Sequence, residues 1–363
     1  MITDAAKRVA SVVGKRVDLS LGKPSFRPED RYKARDFDVK NFREIQPSHS
    51  RGMKLAFLDG GNLALIQAPS FAVHFERVYF NCFEGGQRVK LGIPSKLEFF
   101  VVTTSSGLKD DIRYETSFIP LDDGNTKYLP DEKDLIFDSY DENMKEGKEQ
   151  IQIPRVGDVA RSFAEWEYAG FVCNELAEGD IFVRDGTLHA PYTNQAKYAE
   201  EAYDVARKRG ILFCGVSKTS HLYTTTGMSL VAAIGRLARK NGIKAPGYYH
   251  NLVEITDPNH KADLNFARFH ARSQHTFRVE ILKGQEEHKD KIMSALAANS
   301  ADISFPGYPY GLVDADKNAR VSGDELDALR MLLFSEIAKG SDFQDFRDIL
   351  AASDAHEWLN RVV

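Results

Sequence analysis

The sequence predicts an α/β protein: a mixed sheet flanked by helices, with an insertion and a helical C-terminal part. Three observations predict it. Residues 53–104 read as successive strands lying close together, which suggests an antiparallel start to the sheet. From residue 158 to 240, helix and strand patterns alternate, as parallel strands joined by crossover helices require. Beyond residue 283 the patterns are helical.

The elements follow in order. Residues 1–50 read as a short helix capped by Asp4 and then an irregular basic arm that includes Arg31, Lys33 and Arg35. Residues 54–61, Lys-Leu-Ala-Phe-Leu-Asp-Gly-Gly, form an apolar run that ends in a carboxylate and two glycines, so a strand is expected to stop there. Residues 63–67 make a further short run, and 71–83 alternate as a half-buried strand should. In 96–104, Leu97, Phe99 and Val101 share one face. Residues 105–155 are acidic, polar and broken by Gly and Pro, and read as an insertion or mobile loop. A helix is expected over 158–178, capped by Asp158, with Val159, Phe163, Trp166 and Cys173 on its apolar stripe. A strand at 180–183, a helix at 194–208, a buried strand at 210–216 and a helix near 228–240 follow. Residues 277–282 are the clearest later strand, with helices expected near 286–299, 323–338 and 343–363. The organisation is thus a basic arm (1–50), a main domain (51–340) and a C-terminal helix (341–363). This order fits a ribonuclease-H-like core, in which metal-binding carboxylates lie on the first strand, the fourth strand and flanking helices.

Composition excludes several classes. Hydrophobic content of 42% and charged content of 28% are ordinary for a globular protein. No apolar run approaches the roughly 18–20 residues of a membrane span, and the N-terminus has no long apolar core behind its basic residues, so neither a membrane span nor a secretory signal is expected. Cys82, Cys173 and Cys214 lie in apolar contexts without ligand spacing and read as reduced core residues of a cytoplasmic protein. The net charge of −5 argues against a protein that coats nucleic acid, though not against a nucleic-acid enzyme with a local basic groove.

The candidate site residues are carboxylates. Asp59 and Asp185 each end an apolar run in Asp-Gly, and two neighbouring strands that each deliver an aspartate can build a divalent-metal site. Asp-Gly is also simply a favoured turn. On the 158–178 helix, Glu165 lies in an apolar row with Ala169, Val172 and Leu176, one turn after Arg161. Glu167, in a more mixed row, is its rival. Lys218 follows a buried strand and could hold a phosphate. Residues 314–325 place Asp314, Asp316, Asn318, Ser322 and Glu325 at the ligand positions of an EF-hand loop. Ala319 replaces its turn glycine, and Phe305-Pro-Gly-Tyr-Pro-Tyr-Gly311 replaces its incoming helix. A rigid turn that places Tyr308 and Asp316 is the better reading.

Five motifs in order carry a resemblance: Leu58-Asp-Gly-Gly61, the Arg161/Glu165 helix, Val183-Arg-Asp-Gly-Thr-Leu188, Gly215-Val-Ser-Lys-Thr219, and Gly307-Tyr-Pro-Tyr-Gly-Leu312 with Ala315-Asp316. Over roughly residues 50–340 the chain resembles the NurA nucleases. The resemblance implies a ribonuclease-H-like fold, manganese or magnesium dependence, DNA cleavage in end resection and double-strand break repair, a homodimer, and a hexameric HerA-type ATPase as partner. It implies Asp59 and Asp185 as strand carboxylates, Glu165 as the helix carboxylate and Tyr308 as the motif tyrosine. Asp316 stands where several family members have a histidine, and an aspartate there could bind a second metal.

The function expected is a metal-dependent deoxyribonuclease. Asp59, Glu165, Asp185 and Asp316 would hold two Mg²⁺ or Mn²⁺ ions, one to activate water and one to stabilise the leaving oxygen, while Tyr308 and Lys218 position the strand or a phosphate. The alternatives are a non-catalytic NurA-like adaptor that grips DNA or a motor, and a calcium-binding regulatory protein resting on residues 314–325.

Overall fold

The computed structural model describes residues 2–18, 20–49, 51–108, 111–145, 147–303 and 305–339, so the helix expected at 341–363 lies outside the described residues. Two compact units divide the chain: Met1–Ser50, Asp185–His189 and Cys214–Tyr310 form the smaller, and Arg51–Arg184, Ala190–Phe213 and Gly311–Val363 the larger.

The larger unit is built on a large mixed sheet. Its strands run in the order Ile181–Asp185, Lys54–Gln67, Phe71–Glu84, Lys96–Leu108, Asp111–Pro120 and Ile136–Asp138. The first two are parallel and all later neighbours antiparallel. The parallel pair needs a crossover, and the chain between them supplies hairpins and the helix Ile153–Glu175. That helix buries Phe163, Trp166, Tyr168 and Val172 completely, each worth roughly 1.5–3 kcal/mol of burial. Helix Gln195–Arg209 packs on it, with Trp166 against Tyr203 and Phe163 against Tyr198. Helix Gly323–Ile337 lays Leu326, Leu329 and Leu333 over a core of Leu65, Ile66, Val73 and Phe75. Covered in this way, Phe71–Glu84 is buried along nearly its whole length.

The smaller unit has an antiparallel set of strands in the order Phe42–Glu44, Gly247–Tyr249, Ala262–Arg268, Phe277–Leu282 and Leu212–Ser217. Of the last strand, Cys214 onward is assigned to this unit. Two two-stranded ribbons and the helices Leu230–Lys240 and Lys289–Ala298 complete it, and helix Ile2–Arg16 has no buried residue. No helix among the described residues is long and apolar enough to cross a membrane.

Three sequence expectations are corrected, and the EF-hand alternative, already the weaker reading of residues 314–325, falls away. The glycine pair does not stop the first strand: Lys54–Gln67 is continuous, and Asp59 sits mid-strand. These glycines serve close approach rather than a turn. The 158–178 helix begins earlier, at Ile153, with Pro154 in its first turn, so Asp158 lies inside it and does not cap it. Residues 105–155 are not a loop throughout. Asp111–Pro120 and Ile136–Asp138 extend the sheet, because Tyr114 and Thr116 alternate inward and Tyr114 is anchored by its hydroxyl to the Ile151 carbonyl at 2.9 Å. The EF-hand reading fails because its positions fall on two helices, Tyr310–Ala319 and Gly323–Ile337. Asp314 there pairs with Arg88 at 2.6 Å, and Glu325 is held by Arg77.

Candidate active site

Asp59 is placed by its strand and by what packs on either side of it. The Gly60 amide donates to Asp59 Oδ1 at 2.8 Å. A Cβ at Gly60 would lie 2.4 Å from Glu165 Oε1, and one at Gly61 would lie 2.3 Å from the Ala319 carbonyl oxygen. The strand is therefore pinched between helix Ile153–Glu175 and helix Tyr310–Ala319. At the other end of the second helix, a Cβ at Gly311 would meet the Phe57 ring at 2.0 Å. Asn81 Nδ2 fixes that end too, donating to the Gly311 carbonyl at 2.8 Å and to Asp314 Oδ2 at 2.7 Å. Asp316, one turn further on, is thus set over the Asp59 strand by contacts at both ends of its helix. Arg320 donates to Asp316 Oδ2 at 2.9 Å.

Asp185 is placed by register. Residues 181–184 pair in parallel with 55–58, Arg184 opposite Leu58, and Asp185 is the last residue of that strand. One carboxylate oxygen from each of Asp59, Asp185 and Asp316 lies within 4.8 Å of the others. Such a group could hold a metal ion. The donors are all hard carboxylate oxygens, which fits Mg²⁺ or Mn²⁺ rather than a soft-ligand metal. Lys218 Nζ stands 2.7 Å from Asp185 Oδ2, and the Tyr308 hydroxyl donates to Asp185 Oδ1 at 3.4 Å.

The structure does not bring Glu165 into this group. Its carboxylate is 3% exposed and engaged by two guanidiniums, Arg161 and Arg184, the latter at 2.7 Å. Arg161 also donates to the Gly60 carbonyl at 3.0 Å, which ties Glu165 to the residue after Asp59. Glu167 turns the other way, into a cavity of about 440 Å³ shared with Lys197, Tyr198 and Glu201. Burial, and then the neighbouring Glu201, push its carboxyl up to about 7.

Three features escaped the sequence reading. Arg184 stacks over the Trp166 ring at 4.7 Å as it pairs with Glu165. Glu76 is fully buried with no hydrogen-bond partner for either oxygen among the described residues, and burial pushes its carboxyl well above the ordinary range. The third is a buried network in the smaller unit that grips the turn after Asp185. Glu280 accepts from the Leu188 amide at 2.6 Å, lies 3.0 Å from His260 Nε2 and accepts from Arg278 Nε at 2.7 Å. His260 in turn meets the Tyr32 hydroxyl at 3.0 Å and stacks on His189. Burial works against the charge of Glu280, but Arg278 and His260 hold its carboxyl below the ordinary range. Alternation places Glu280 and Arg278 on one face of Phe277–Leu282, but partners such as Leu188 and His260 lie far off in sequence.

The NurA domain family model matches residues 54–321. The chain belongs to the NurA family. The matched NurA segment contains Asp59, Asp185 and Asp316. Among solved structures, the NurA nuclease from Sulfolobus solfataricus is similar over 93% of this chain and 95% of its own, with a TM-score of 0.50 at 11% identity. At that identity the likeness shows the fold. Argonaute from A. aeolicus (TM-score 0.31, 12% identity, 76% of this chain and 29% of its own) and Drosophila Piwi (0.30, 10%, 74% and 29%) are too distant to carry an argument. No curated protein matches the chain.

Proposed function

We propose that this chain is a divalent-metal-dependent deoxyribonuclease, a phosphodiester hydrolase. The observation that carries the reading is the convergence of Asp59, Asp185 and Asp316 oxygens within 4.8 Å inside a NurA domain. These three would hold Mn²⁺ or Mg²⁺, in one or two positions. A bound ion supplies Lewis acidity at the phosphodiester and a more acidic water. Lys218, a point charge beside Asp185, suits a substrate phosphate. Tyr308, only 2% exposed, orients Asp185 through its hydroxyl. Glu165 acts as a positioning carboxylate: through Arg161 it fixes the Gly60 backbone and hence the adjacent Asp59.

On the same reading, the chain is a cytoplasmic homodimer that works with a hexameric HerA-type ATPase in DNA end resection. Support comes from the family and from charge. A chain of net charge −5 holds a polyanion weakly by itself, and a motor that delivers DNA would raise the local concentration. The three cysteines are free and buried, which suits a reducing compartment.

The test is cleavage of labelled single- and double-stranded DNA with Mn²⁺, Mg²⁺ or EDTA, on wild type and Asp59→Asn. Metal-dependent cleavage that the variant loses is expected. Binding of DNA without cleavage under any metal would favour the adaptor instead.

A further inference from the structure

Helix Leu230–Lys240 of the smaller unit carries a one-sided distribution of charge. Its sequence, Leu-Val-Ala-Ala-Ile-Gly-Arg-Leu-Ala-Arg-Lys, contains three basic residues and no acid. Leu230, Ala233 and Ile234 are buried. On another face, Ser229, Ala232, Arg236 and Arg239 recur at helical spacing and line a cavity of about 670 Å³, to which Arg16 and Thr226 also contribute. The alanine in this stripe leaves the space in front of the two arginines open.

Charge in the cavity is one-sided. Arg16, Arg236 and Arg239 face a single acid, Asp18, whose Oδ1 is already taken by the Ser20 amide at 2.8 Å. None of the three guanidiniums has an ion-pair or hydrogen-bond partner among the described residues. Ser229 is the helix N-cap and its side chain makes no capping hydrogen bond, while the Leu230 amide donates to the Leu222 carbonyl at 2.8 Å. In a chain of net charge −5, three unpaired arginines around one hollow are a local reversal of sign. Guanidinium forks match phosphate oxygens in pairs. Arg236 and Arg239 are separated by about 4.5 Å of helix rise, close enough for their long side chains to reach neighbouring phosphates of one strand.

We propose that this cavity is a phosphate-binding subsite for the backbone of a nucleic-acid strand, remote in sequence from the carboxylate group. The proposal rests on the nuclease reading for the identity of the strand, and its test is independent of cleavage.

The experiment uses the full chain with EDTA present and follows a fluorescent 20-nucleotide single strand by anisotropy across a salt series. Removing two phosphate contacts in Arg236→Ala/Arg239→Ala should reduce the slope of log affinity against log salt by about 1.4. Affinity at low salt should fall on the order of tenfold. Arg236→Lys/Arg239→Lys should keep most of the slope, and Ala232→Glu, which adds a charge inside the cavity, should weaken binding without removing an arginine. Thermal melts monitor folding of each variant. Unchanged slope and affinity in both the double-alanine and Ala232→Glu proteins would overturn the proposal. So would displacement of the strand by millimolar inorganic phosphate at matched ionic strength, since the cavity would then be a site for small free anions. A protein that shows the expected slopes yet never cleaves DNA with metal would refute the nuclease reading alone. One that cleaves but shows no slope change would refute the subsite alone.

Discussion

Gly61→Ala tests the packing that sets Asp316 over Asp59. The added Cβ would stand 2.3 Å from the Ala319 carbonyl oxygen and 2.9 Å from its carbonyl carbon, where ordinary contact begins at 3.4 Å. The obstacle is backbone at the end of a helix, so no side-chain rotation relieves it. Either the strand or helix Tyr310–Ala319 must move by about 1 Å, at an overpacking cost of roughly 1–3 kcal/mol. Asp316 lies one turn before Ala319 and would move with the helix end. A misplacement of about 1 Å in a positioned group can cost on the order of 10²-fold in rate. The assay is Mn²⁺-dependent cleavage together with a urea midpoint, with Gly107→Ala as the control, because a Cβ at Gly107 has nothing within 4 Å. We expect Gly61→Ala to lose about two decades of activity and Gly107→Ala to lose almost none. A Gly61→Ala protein with wild-type rate and stability would refute the argument that close approach, rather than a turn, explains the glycine.

Two further predictions concern a half-buried and a buried carboxylate. The Glu167 carboxyl is raised from 4.5 to about 7, so the folded state binds its proton more tightly than the unfolded state does. Stability therefore falls as pH rises from about 4.5 through about 7, and Glu167→Gln should remove that fall. Discounted for partial solvent screening, the gain at pH 8 should be about 1–2 kcal/mol by urea denaturation, and equal pH profiles would refute it. Glu280 has the opposite sign: its folded value is lowered, so its contribution is present above the ordinary value of 4.5 and lost as pH falls below it. Glu280→Gln should cost roughly 3 kcal/mol at pH 7, because it strips the carboxylate from buried His260 and Arg278. The deficit should shrink in acid, and a deficit that is constant from pH 7 to 3 would contradict this assignment.

Much of the architecture was legible because periodicity reports burial. Leu97, Phe99 and Val101 alternate and are buried. The Trp166 stripe marks a helix that packs on strands Lys54–Gln67 and Phe71–Glu84 and on a second helix. Local punctuation misled where it had a tertiary cause. A glycine pair inside an apolar run looks like a turn, yet Gly60 and Gly61 make room for Glu165 and Ala319, residues about 105 and 258 positions away in the chain, which no local window contains. The polar 105–155 segment hid a hairpin because its strands face solvent on one side. Asp59 and Asp185 could be proposed as partners from their shared Asp-Gly pattern, but the parallel pairing of residues 181–184 with 55–58 was not legible in either run. Glu165 stood out as a carboxylate in an apolar row. The second arginine that neutralises it, Arg184, was not legible, because it reaches Glu165 from the neighbouring strand element.

The central claim is that Asp59, Asp185 and Asp316 together bind a divalent cation. The most direct measurement is a Mn²⁺ titration followed by electron paramagnetic resonance of the free ion, without DNA, on wild type and on Asp185→Asn. Wild type should bind saturably and Asp185→Asn at least tenfold more weakly, because its amide keeps the volume but loses the charge. Equal Mn²⁺ affinity in the two proteins, both folded, would contradict it.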